Sequence, residues 1–274
     1  MEESKTAKLG TRLAVGSTLG GVFLLTLTWS PLVILMVSIA SAIAVFELAS
    51  AMRTAGWFVP RIPATIAAFG IPWAAFYFST QGQWLSVAAS VVFMVSWRLL
   101  FLVVTKTEQS LKQTLRDFGA SAFVVIYVPL LLSFAALIVN KPMGVIWIFG
   151  TVFTVALIDT FGYLFGRFFG KTKLSPVISP KKTWEGLVAS ILGAFVGGVT
   201  TALLLGAPLW FGFIFGAALL VSSVTGDLSE SLIKRDLNVK DMGNVLPGHG
   251  GMMDRIDSLL PSVFVAYLLT NIVF

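Results

Sequence analysis

The sequence contains no cysteine and only one histidine, His249, among its 274 residues. The absence of cysteine excludes disulfide bonds, thiolate metal sites and a cysteine nucleophile. Charged residues are scarce as well, at 12% of the chain, whereas soluble domains average about 25%. Hydrophobic residues make up 57%, which is more than a soluble fold of this length could bury. This composition favours a protein embedded in a bilayer, where lipid covers the apolar surface.

Long apolar segments recur along the whole chain, and about 20 such residues are needed for a helix to cross the hydrocarbon core. They predict an all-α, polytopic bundle of nine transmembrane helices in a single membrane domain, residues 1–274. We expect residues 1–140 to provide packing and lipid contact, and residues 141–274 to carry the chemistry. The predicted spans are 12–29, 31–52, 62–79, 83–105, 118–139, 143–168, 187–206, 208–233 and 256–274.

The basic residues lie mostly in every second polar break between these spans. All but two of the 19 Lys and Arg residues fall on one predicted side; the exceptions are Lys141 and Arg98, which lies inside a span. The positive-inside rule places this basic side in the cytoplasm. We therefore expect a cytoplasmic N-terminus, an external C-terminus, and cytoplasmic loops at 167–186 and 234–256.

Glycines recur at every fourth position in three of the predicted helices. Small residues at this spacing allow helices to approach closely in lipid. The pattern predicts close packing within the chain or a homodimer face, and either is favoured over a direct role in ligand binding. A homodimer through the N-terminal helices is also left open. The glycines are Gly162, Gly166 and Gly170, then Gly193 and Gly197, then Gly212 and Gly216.

Acidic residues concentrate near the C-terminus, where six of the 13 lie between positions 227 and 257. A charge deep in a span costs about 2.5–3.5 kcal/mol on insertion scales, so an intramembrane acid needs a partner or a cavity. Asp159 and Asp227 are predicted near the cytoplasmic ends of their helices. Asp227, Glu230, Ser231 and Lys234 form one polar stripe, at i, i+3, i+4 and i+7. The alternative interpretation of this stripe is a set of structural ion pairs, such as Asp227 with Lys234.

A glycine-rich loop follows the stripe and reads KDMGNVLPGHGGMMDRIDS at residues 240–258. Its backbone N–H groups and lack of bulky side chains suit close contact with an anion. Asp254 and Asp257 would face the same way if the ninth helix began there. Converging carboxylates suit Mg²⁺, which shares its oxygen ligands with substrate phosphates, and Arg255 and nearby cations would neutralise the remaining charge. His249 is open to three roles: general base, phosphate contact or turn cap.

A second basic cluster, GRFFGKTKLSPVISPKKTWEG, occupies residues 166–186. A lysine pair near anionic lipid often serves only to attract the protein to the membrane surface, and each residue then contributes about 1 kcal/mol of binding free energy. A functional role is favoured here because Asp159 and Tyr163 lie on the helix that delivers the cluster. The residues predicted to form its turn are Ser179, Pro180, Lys181, Lys182 and Thr183.

The segment from Ser231 to Asp257 resembles the signature of the phosphatidate cytidylyltransferases, also called CDP-diacylglycerol synthases. Asp159, Tyr163, Gly166 and the SPKKTWEG stretch are similar to the upstream block of that family. The N-terminal half is similar only in size and hydropathy. The signature positions filled in this sequence are Ser231, Lys234, Arg235, Lys240, Asp241, Gly243, Pro247, His249, Gly250, Gly251, Asp254, Arg255 and Asp257.

The resemblance implies a Mg²⁺-dependent membrane nucleotidyltransferase of phospholipid biosynthesis that converts CTP and phosphatidate to CDP-diacylglycerol and pyrophosphate. It implies that Asp227, Asp254 and Asp257 are metal ligands, and that these acids with Lys234 and Arg235 are catalytic. A second metal or a monovalent cation is left open. The residues implied to bind substrate are Ser179, Lys181, Lys182, Thr183, Ser231, Lys240, Asp241, His249, Gly250, Gly251, Arg255, Asp159 and Tyr163.

The partners implied are CTP and membrane lipid, without nucleic acid. We expect a bacterial cytoplasmic (inner) membrane location with the active site facing the cytoplasm, where CTP is found. One alternative is a secondary transporter with ion sites at Asp159, Asp227 and Glu230. Transporters place such groups near the midplane and often show internal repeats, so the one-sided cluster favours an enzyme. Another alternative keeps CTP but changes the lipid, to a polyprenol, phytol or archaeal ether lipid.

Two isolated charges inside predicted spans, Glu47 and Arg98, have no place in this site. A pairing with each other across the second and fourth spans is a hypothesis for both.

Overall fold

The computed structural model describes residues 16–106, 108–243, 245 and 250–273, and these are mostly helical. The chain divides into two compact units. The N-terminal unit comprises Met1–Ala136 and Leu237–Arg255, and the C-terminal unit comprises Leu137–Asp236 and Ile256–Phe274. The predicted functional division at residue 140 lies close to the first boundary, but the segment 237–255 belongs with the N-terminal helices.

Proline and polar caps set the helix limits in the N-terminal unit. Pro31 lies in the first turn of α2, where backbone N–H groups have no partner within the helix, so its lack of an N–H costs no hydrogen bond. The Ser110 side chain accepts from the Gln113 N–H, and the two residues form a capping box that starts α4. A π-helical turn, Ile126–Leu130, links α4 to α5. The helices are α1 (Gly16–Thr26), α2 (Ser30–Thr54), α3 (Arg61–Thr105), α4 (Leu111–Val125) and α5 (Leu131–Val139), which enters the second unit.

A buried ion pair joins α3 to α4. The Arg98 Nη2 atom lies 2.7 Å from Asp117 Oδ2, and both side chains are buried. The other carboxylate oxygen of Asp117 accepts the Phe58 N–H at 3.0 Å, and the Arg98 guanidinium lies 3.9 Å from the Phe58 ring centroid. The hypothesis that Arg98 pairs with Glu47 is therefore wrong. The short connection between α3 and α4 places Asp117 beside Arg98, and removing either partner would leave a buried charge uncompensated.

The C-terminal unit contains the other long helices and a small hairpin. The strands pair antiparallel, with Lys173 opposite Thr183 and Ser175 opposite Ser179. The prediction of a turn at 179–183 is wrong: these residues form a strand, and the hairpin turns before it. The Trp184 N–H donates to the Thr172 carbonyl at 3.0 Å and closes the hairpin. The elements are α6 (Gly144–Phe169), β1 (Lys173–Ser175), β2 (Ser179–Thr183), α7 (Trp184–Leu205), α8 (Leu209–Asp236), α9 (Met253–Ile256, across the unit boundary) and α10 (Leu259–Val273).

Glycines bring α6, α7 and α8 into close contact. A Cβ added at Gly193 would lie 2.7 Å from the Leu157 carbonyl oxygen on α6, and one at Gly197 would lie 2.7 Å from the Thr154 Cα. A Cβ at Gly198 would lie 2.8 Å from the backbone nitrogen of Gly216 on α8. The predicted close packing within the chain is confirmed for these helices.

Six helices in the described part of the chain are long and apolar enough to cross a membrane, which agrees with a membrane helical bundle. The predicted third and fourth spans both lie in α3, which is broken between them at Ser79, where φ is 57°. The predicted first span begins outside the described residues, and its described part contains helix α1, Gly16–Thr26. The predicted ninth span corresponds to α10, which has 15 residues. The predicted count of nine spans is not confirmed.

We expect Gly198→Ala to lower the apparent melting temperature of the detergent-solubilised protein. The added methyl group meets α8 backbone, and overpacking of this kind costs about 1–3 kcal/mol. Gly119→Ala is the matched control, because nothing lies within 4 Å of its Cβ position on α4. Alanine there favours the helix by about 1 kcal/mol. An equal loss in both variants would contradict the packing argument.

Candidate active site

An ion pair between hairpin and helix joins two of the predicted motifs within the C-terminal unit. Lys182 on β2 contacts the carboxylate of Asp227 on α8, and each side chain is 29% exposed. The Thr183 hydroxyl accepts the Gly186 N–H at 3.2 Å and caps α7, which fixes the end of the strand that carries Lys182. The basic cluster of 166–186 and the acidic stripe of α8 therefore meet.

The polar stripe on α8 is confirmed, and its internal pairing differs from the alternative considered from sequence. Glu230 pairs with Lys234 one turn later, and the Glu230 side chain is fully buried. Asp227 pairs with Lys182 instead of Lys234. The i, i+4 spacing brings Glu230 and Lys234 together on one helix face, which leaves Asp227 for a partner from another element.

Asp159 adds a third carboxylate from α6. The Ser223 hydroxyl on α8 donates to Asp159 Oδ1 at 3.5 Å. Asp159 also accepts from the Ser258 side chain and interacts electrostatically with Lys182 and Asp227. Helices α6 and α8, the hairpin and the turn before α10 thus share one polar cluster.

Asp257 is buried in the turn before α10, outside the six long apolar helices. Its Oδ1 atom accepts the Ser258 N–H at 2.7 Å. Burial raises the pKa of Asp257 well above its usual range, and the negative charges of Asp227 and Glu230 act in the same direction. Gly226 allows α8 to lie close to the turn that carries Asp257, because a Cβ at Gly226 would lie 2.9 Å from Pro261 and closer still to the backbone carbonyl oxygen of Asp257. The C-terminal unit therefore concentrates negative charge that a cation would stabilise.

The donor chemistry of this cluster fits a divalent cation. Mg²⁺ usually takes one or two carboxylates and completes its shell with water and substrate phosphates. Asp227 and Asp257 provide two carboxylates in the same unit. Across the ranges that the structure describes, no three His, Cys, Asp or Glu residues are grouped closely enough to hold a metal ion by themselves.

Asp254 lies in the N-terminal unit and organises the glycine-rich segment. Its Oδ2 atom accepts the Met242 N–H at 3.1 Å and the Gly251 N–H at 3.0 Å. Helix α9 ends at Ile256, before Asp257. Asp254 and Asp257 would face the same way only if one continuous helix carried both, and this condition is not met because the helix ends between them.

The remaining predicted site residues are placed as follows. The Arg235 Nε atom donates to the Ile178 carbonyl at 3.4 Å and ties the end of α8 to the hairpin. The Tyr163 hydroxyl accepts from Arg167 at 3.1 Å, one turn along α6. His249 lies outside the described residues. Lys181, Lys240, Asp241 and Arg255 are exposed, Ser179, Ser231 and Gly250 are half-buried, and Gly251 is buried.

Four side chains that contact these motifs were not among the predicted site residues. They are Glu47 in the N-terminal unit, and Ser223, Glu230 and Ser258 in the C-terminal unit. Glu230 was seen in the stripe but not included in the site. Glu47 on α2 accepts the Met253 N–H at 2.9 Å and thus contacts the glycine-rich segment within the N-terminal unit. An isolated acid in an apolar helix is a functional-site hypothesis by default, and that signal could have found it.

The model of a protein family described as "Cytidylyltransferase family" matches residues 10–273 of the chain. A phosphatidate cytidylyltransferase of Mycobacterium bovis is 35% identical over 267 residues, which cover 95% of this chain and 87% of the relative. That of Mycobacterium leprae is 37% identical over 270 residues, covering 95% and 86%. Phosphatidate cytidylyltransferase 4, chloroplastic, of Arabidopsis thaliana is 43% identical over 129 residues, covering 44% and 33%. The chain therefore belongs to the cytidylyltransferase family.

Proposed function

We propose that this chain is a membrane enzyme of phospholipid biosynthesis that converts CTP and phosphatidate to CDP-diacylglycerol and pyrophosphate. Similarity over 95% of this chain to proteins named phosphatidate cytidylyltransferase carries the proposal. The contact between Lys182 and Asp227 supports the proposal. A lysine can bind a phosphate, and a carboxylate beside it can bind the divalent metal ion that the phosphate shares.

The reaction is a nucleotidyl transfer. A phosphate oxygen of phosphatidate forms a bond to the α-phosphorus of CTP, and the bond from that phosphorus to the bridging oxygen breaks as pyrophosphate leaves. A phosphomonoester has a second pKa of about 6, so the attacking oxygen is already ionised at neutral pH and needs no strong base. Catalysis then depends on positioning the two phosphates and neutralising their charge.

We assign the neutralising cations to the hairpin and the end of α8. Lys182 and Lys234 contact carboxylates of the cluster, so their ammonium groups lie at its edge. Lys181 is exposed on the same strand, and Arg235 is held against the hairpin through the Ile178 carbonyl. These side chains would bind the triphosphate of CTP and the lipid phosphate.

We propose Asp227 and Asp257 as ligands of Mg²⁺ in the C-terminal unit. Asp254, in the N-terminal unit, stays a predicted third ligand. When bound, the ion supplies positive charge to the nucleotide phosphates. Asp257 is buried close to the negative charges of Asp227 and Glu230, and this concentration of carboxylates is the feature that supports a cation here.

The lipid substrate would reach the cluster from the bilayer. Phe168 and Phe169, at the end of α6, are 73% and 63% exposed and precede the basic hairpin. Apolar side chains next to lysines suit a lipid that carries acyl chains and an anionic phosphate. We further propose that this face is cytoplasmic, which follows from the positions of the basic loops. We also propose that the membrane is the bacterial inner membrane, because the relatives that match most of the chain are from Mycobacterium.

We expect the purified protein to release pyrophosphate when CTP, phosphatidate and Mg²⁺ are all present. Omission of the lipid or addition of EDTA should reduce the release to background, because the lipid provides the nucleophile and the ion neutralises the phosphates. Thin-layer chromatography of the labelled lipid product checks the identity of the acceptor. Turnover with a polyprenol in place of phosphatidate would contradict the lipid assignment.

Asp227→Asn should lower kcat by at least about 100-fold, a typical loss when a charged transition-state contact is removed. Asp236→Asn is the matched control, since Asp236 is an exposed acid at the end of the same helix. Both variants should retain the melting temperature of the unsubstituted protein. A near-normal rate of Asp227→Asn at limiting Mg²⁺ would exclude Asp227 as a ligand.

A reporter fused after Phe274 should be external, and one inserted in the loop near Lys106 should be cytoplasmic. The expected result follows from the one-sided distribution of Lys and Arg. Protease or thiol-label accessibility in intact cells measures both positions, with a cysteine introduced at each because the chain has none. A cytoplasmic C-terminus would mean that the number of crossings is even.

A further inference from the structure

Glu47 is a buried carboxylate on α2 that lies far along the chain from the segment it contacts. Only 4% of Glu47 is exposed, and its neighbours Ala44 and Leu48 are fully buried. Its Oε2 atom accepts the Met253 N–H at 2.9 Å, across 206 residues of sequence. A buried carboxylate is costly unless N–H groups satisfy it. The glycine-rich segment provides such a donor, and both partners belong to the N-terminal unit.

Two glycines of the segment lie directly against the Glu47 side chain. At Gly243, all three of the atoms nearest to an added Cβ belong to Glu47, including its Cγ at 2.6 Å. At Gly251, an added Cβ would lie 2.6 Å from Glu47 Oε2, 2.8 Å from the backbone nitrogen of Gly243 and 3.0 Å from Asp254 Oδ2. Neither glycine has a positive φ, so an alanine could adopt either backbone conformation. Glycine is favoured at both positions by the space that the Glu47 side chain occupies, and at Gly251 also by the nearby backbone, but not by a positive φ.

The same segment holds Asp254. Its Oδ2 atom accepts the N–H groups of Met242 and Gly251, at 3.1 Å and 3.0 Å. The residue before Asp254 is Met253, whose N–H is bound to Glu47. A displacement of the backbone at Met253 would therefore move Asp254 with it. Helix α2 is a long element with a buried face, and a rigid element positions a functional side chain better than a loop alone.

We propose that Glu47 is a positioning residue that fixes the 250–254 segment to α2 and thereby sets the place of the Asp254 carboxylate. The role of Asp254 in the reaction rests on the proposed function, whereas the anchoring of the segment does not. A buried glutamate that served only the stability of α2 would not need two glycines opposite its carboxylate.

Amide hydrogen exchange tests the anchoring without any assay of activity. Glu47→Ala should speed exchange across residues 250–254 by about tenfold or more, the effect of losing one charge-assisted hydrogen bond. Glu47→Gln retains an acceptor oxygen and should restore most of the protection. Unchanged exchange in Glu47→Ala would overturn the proposal.

Gln83→Leu provides a matched control in the same unit. Gln83 is fully buried, and its Nε2 atom donates to the Ser133 hydroxyl at 2.8 Å. Ser133 keeps its own bond to the Leu130 carbonyl after the substitution. This variant should lower the melting temperature yet leave exchange across 250–254 unchanged. Equal deprotection of the segment in both variants would show a general loss of stability and overturn the proposal.

Steady-state kinetics tests the consequence for Asp254. Glu47→Ala should lower kcat and raise the Mg²⁺ concentration for half-activation several-fold, with little change in the KM for phosphatidate. Gln83→Leu should leave the Mg²⁺ midpoint in place. Loss of rate in proportion to loss of folded protein, at an unchanged midpoint, would overturn the link to Asp254. Absence of turnover in the unsubstituted protein would refute the proposed function, and hydrogen exchange would still decide the anchoring.

A double-mutant cycle isolates the contact between Glu47 and Gly243. Gly243→Ala should impair kcat because its methyl group meets the Glu47 side chain. In a Glu47→Asp background, the carboxylate is withdrawn by one methylene, so the same substitution should cost at least about fivefold less. Additive effects of the two substitutions would contradict direct contact.

Discussion

A carboxylate in an apolar helix must find a cation or N–H donors, and this constraint explains the partners of four acids in the described part of the chain. Asp117 is paired with Arg98, Asp227 with Lys182 and Glu230 with Lys234. Glu47 uses a backbone N–H instead. Because each acid has few eligible partners, these pairings determine which elements lie together within each unit.

The two kinds of partner have different consequences for function. The guanidinium of Arg98 is enclosed by Asp117 and the Phe58 ring, so this pair fixes the joint between α3 and α4. Lys182 and Asp227 each stay partly exposed, and they share their surroundings with Asp159 and Asp257. Partial exposure leaves such groups available to a phosphate or a metal ion, which an enclosed pair is not. The same physical need thus gives a structural contact in one unit and a candidate active site in the other.

Glycine has a corresponding double use. In α7 and α8 it removes side chains where helix backbones meet, so that α6 can hold Asp159 close to α8. At Gly243 and Gly251, the absence of a side chain leaves room for the carboxylate of Glu47. Both uses reflect the limited space around polar groups that must be satisfied away from water. The chemistry proposed for the chain needs charged groups held in fixed positions more than it needs a strong base. Close packing of this kind holds such groups in place.

Local spacing in the sequence was sufficient for features that lie within one helix or one motif. Apolar length predicted the membrane bundle, and the 231–257 pattern indicated the family. The helical spacing also placed Glu230 and Lys234 in one polar stripe, although the ion pair considered for that stripe was Asp227 with Lys234 and the structure pairs Glu230 with Lys234. Only the tertiary structure decided which elements are neighbours: Lys182 with Asp227, Arg98 with Asp117, and Glu47 with Met253. It also decided that 179–183 is a strand and that α9 stops before Asp257. Periodicity reports the faces of a single helix, whereas a partner many residues away depends on how helices pack, and that information is not local.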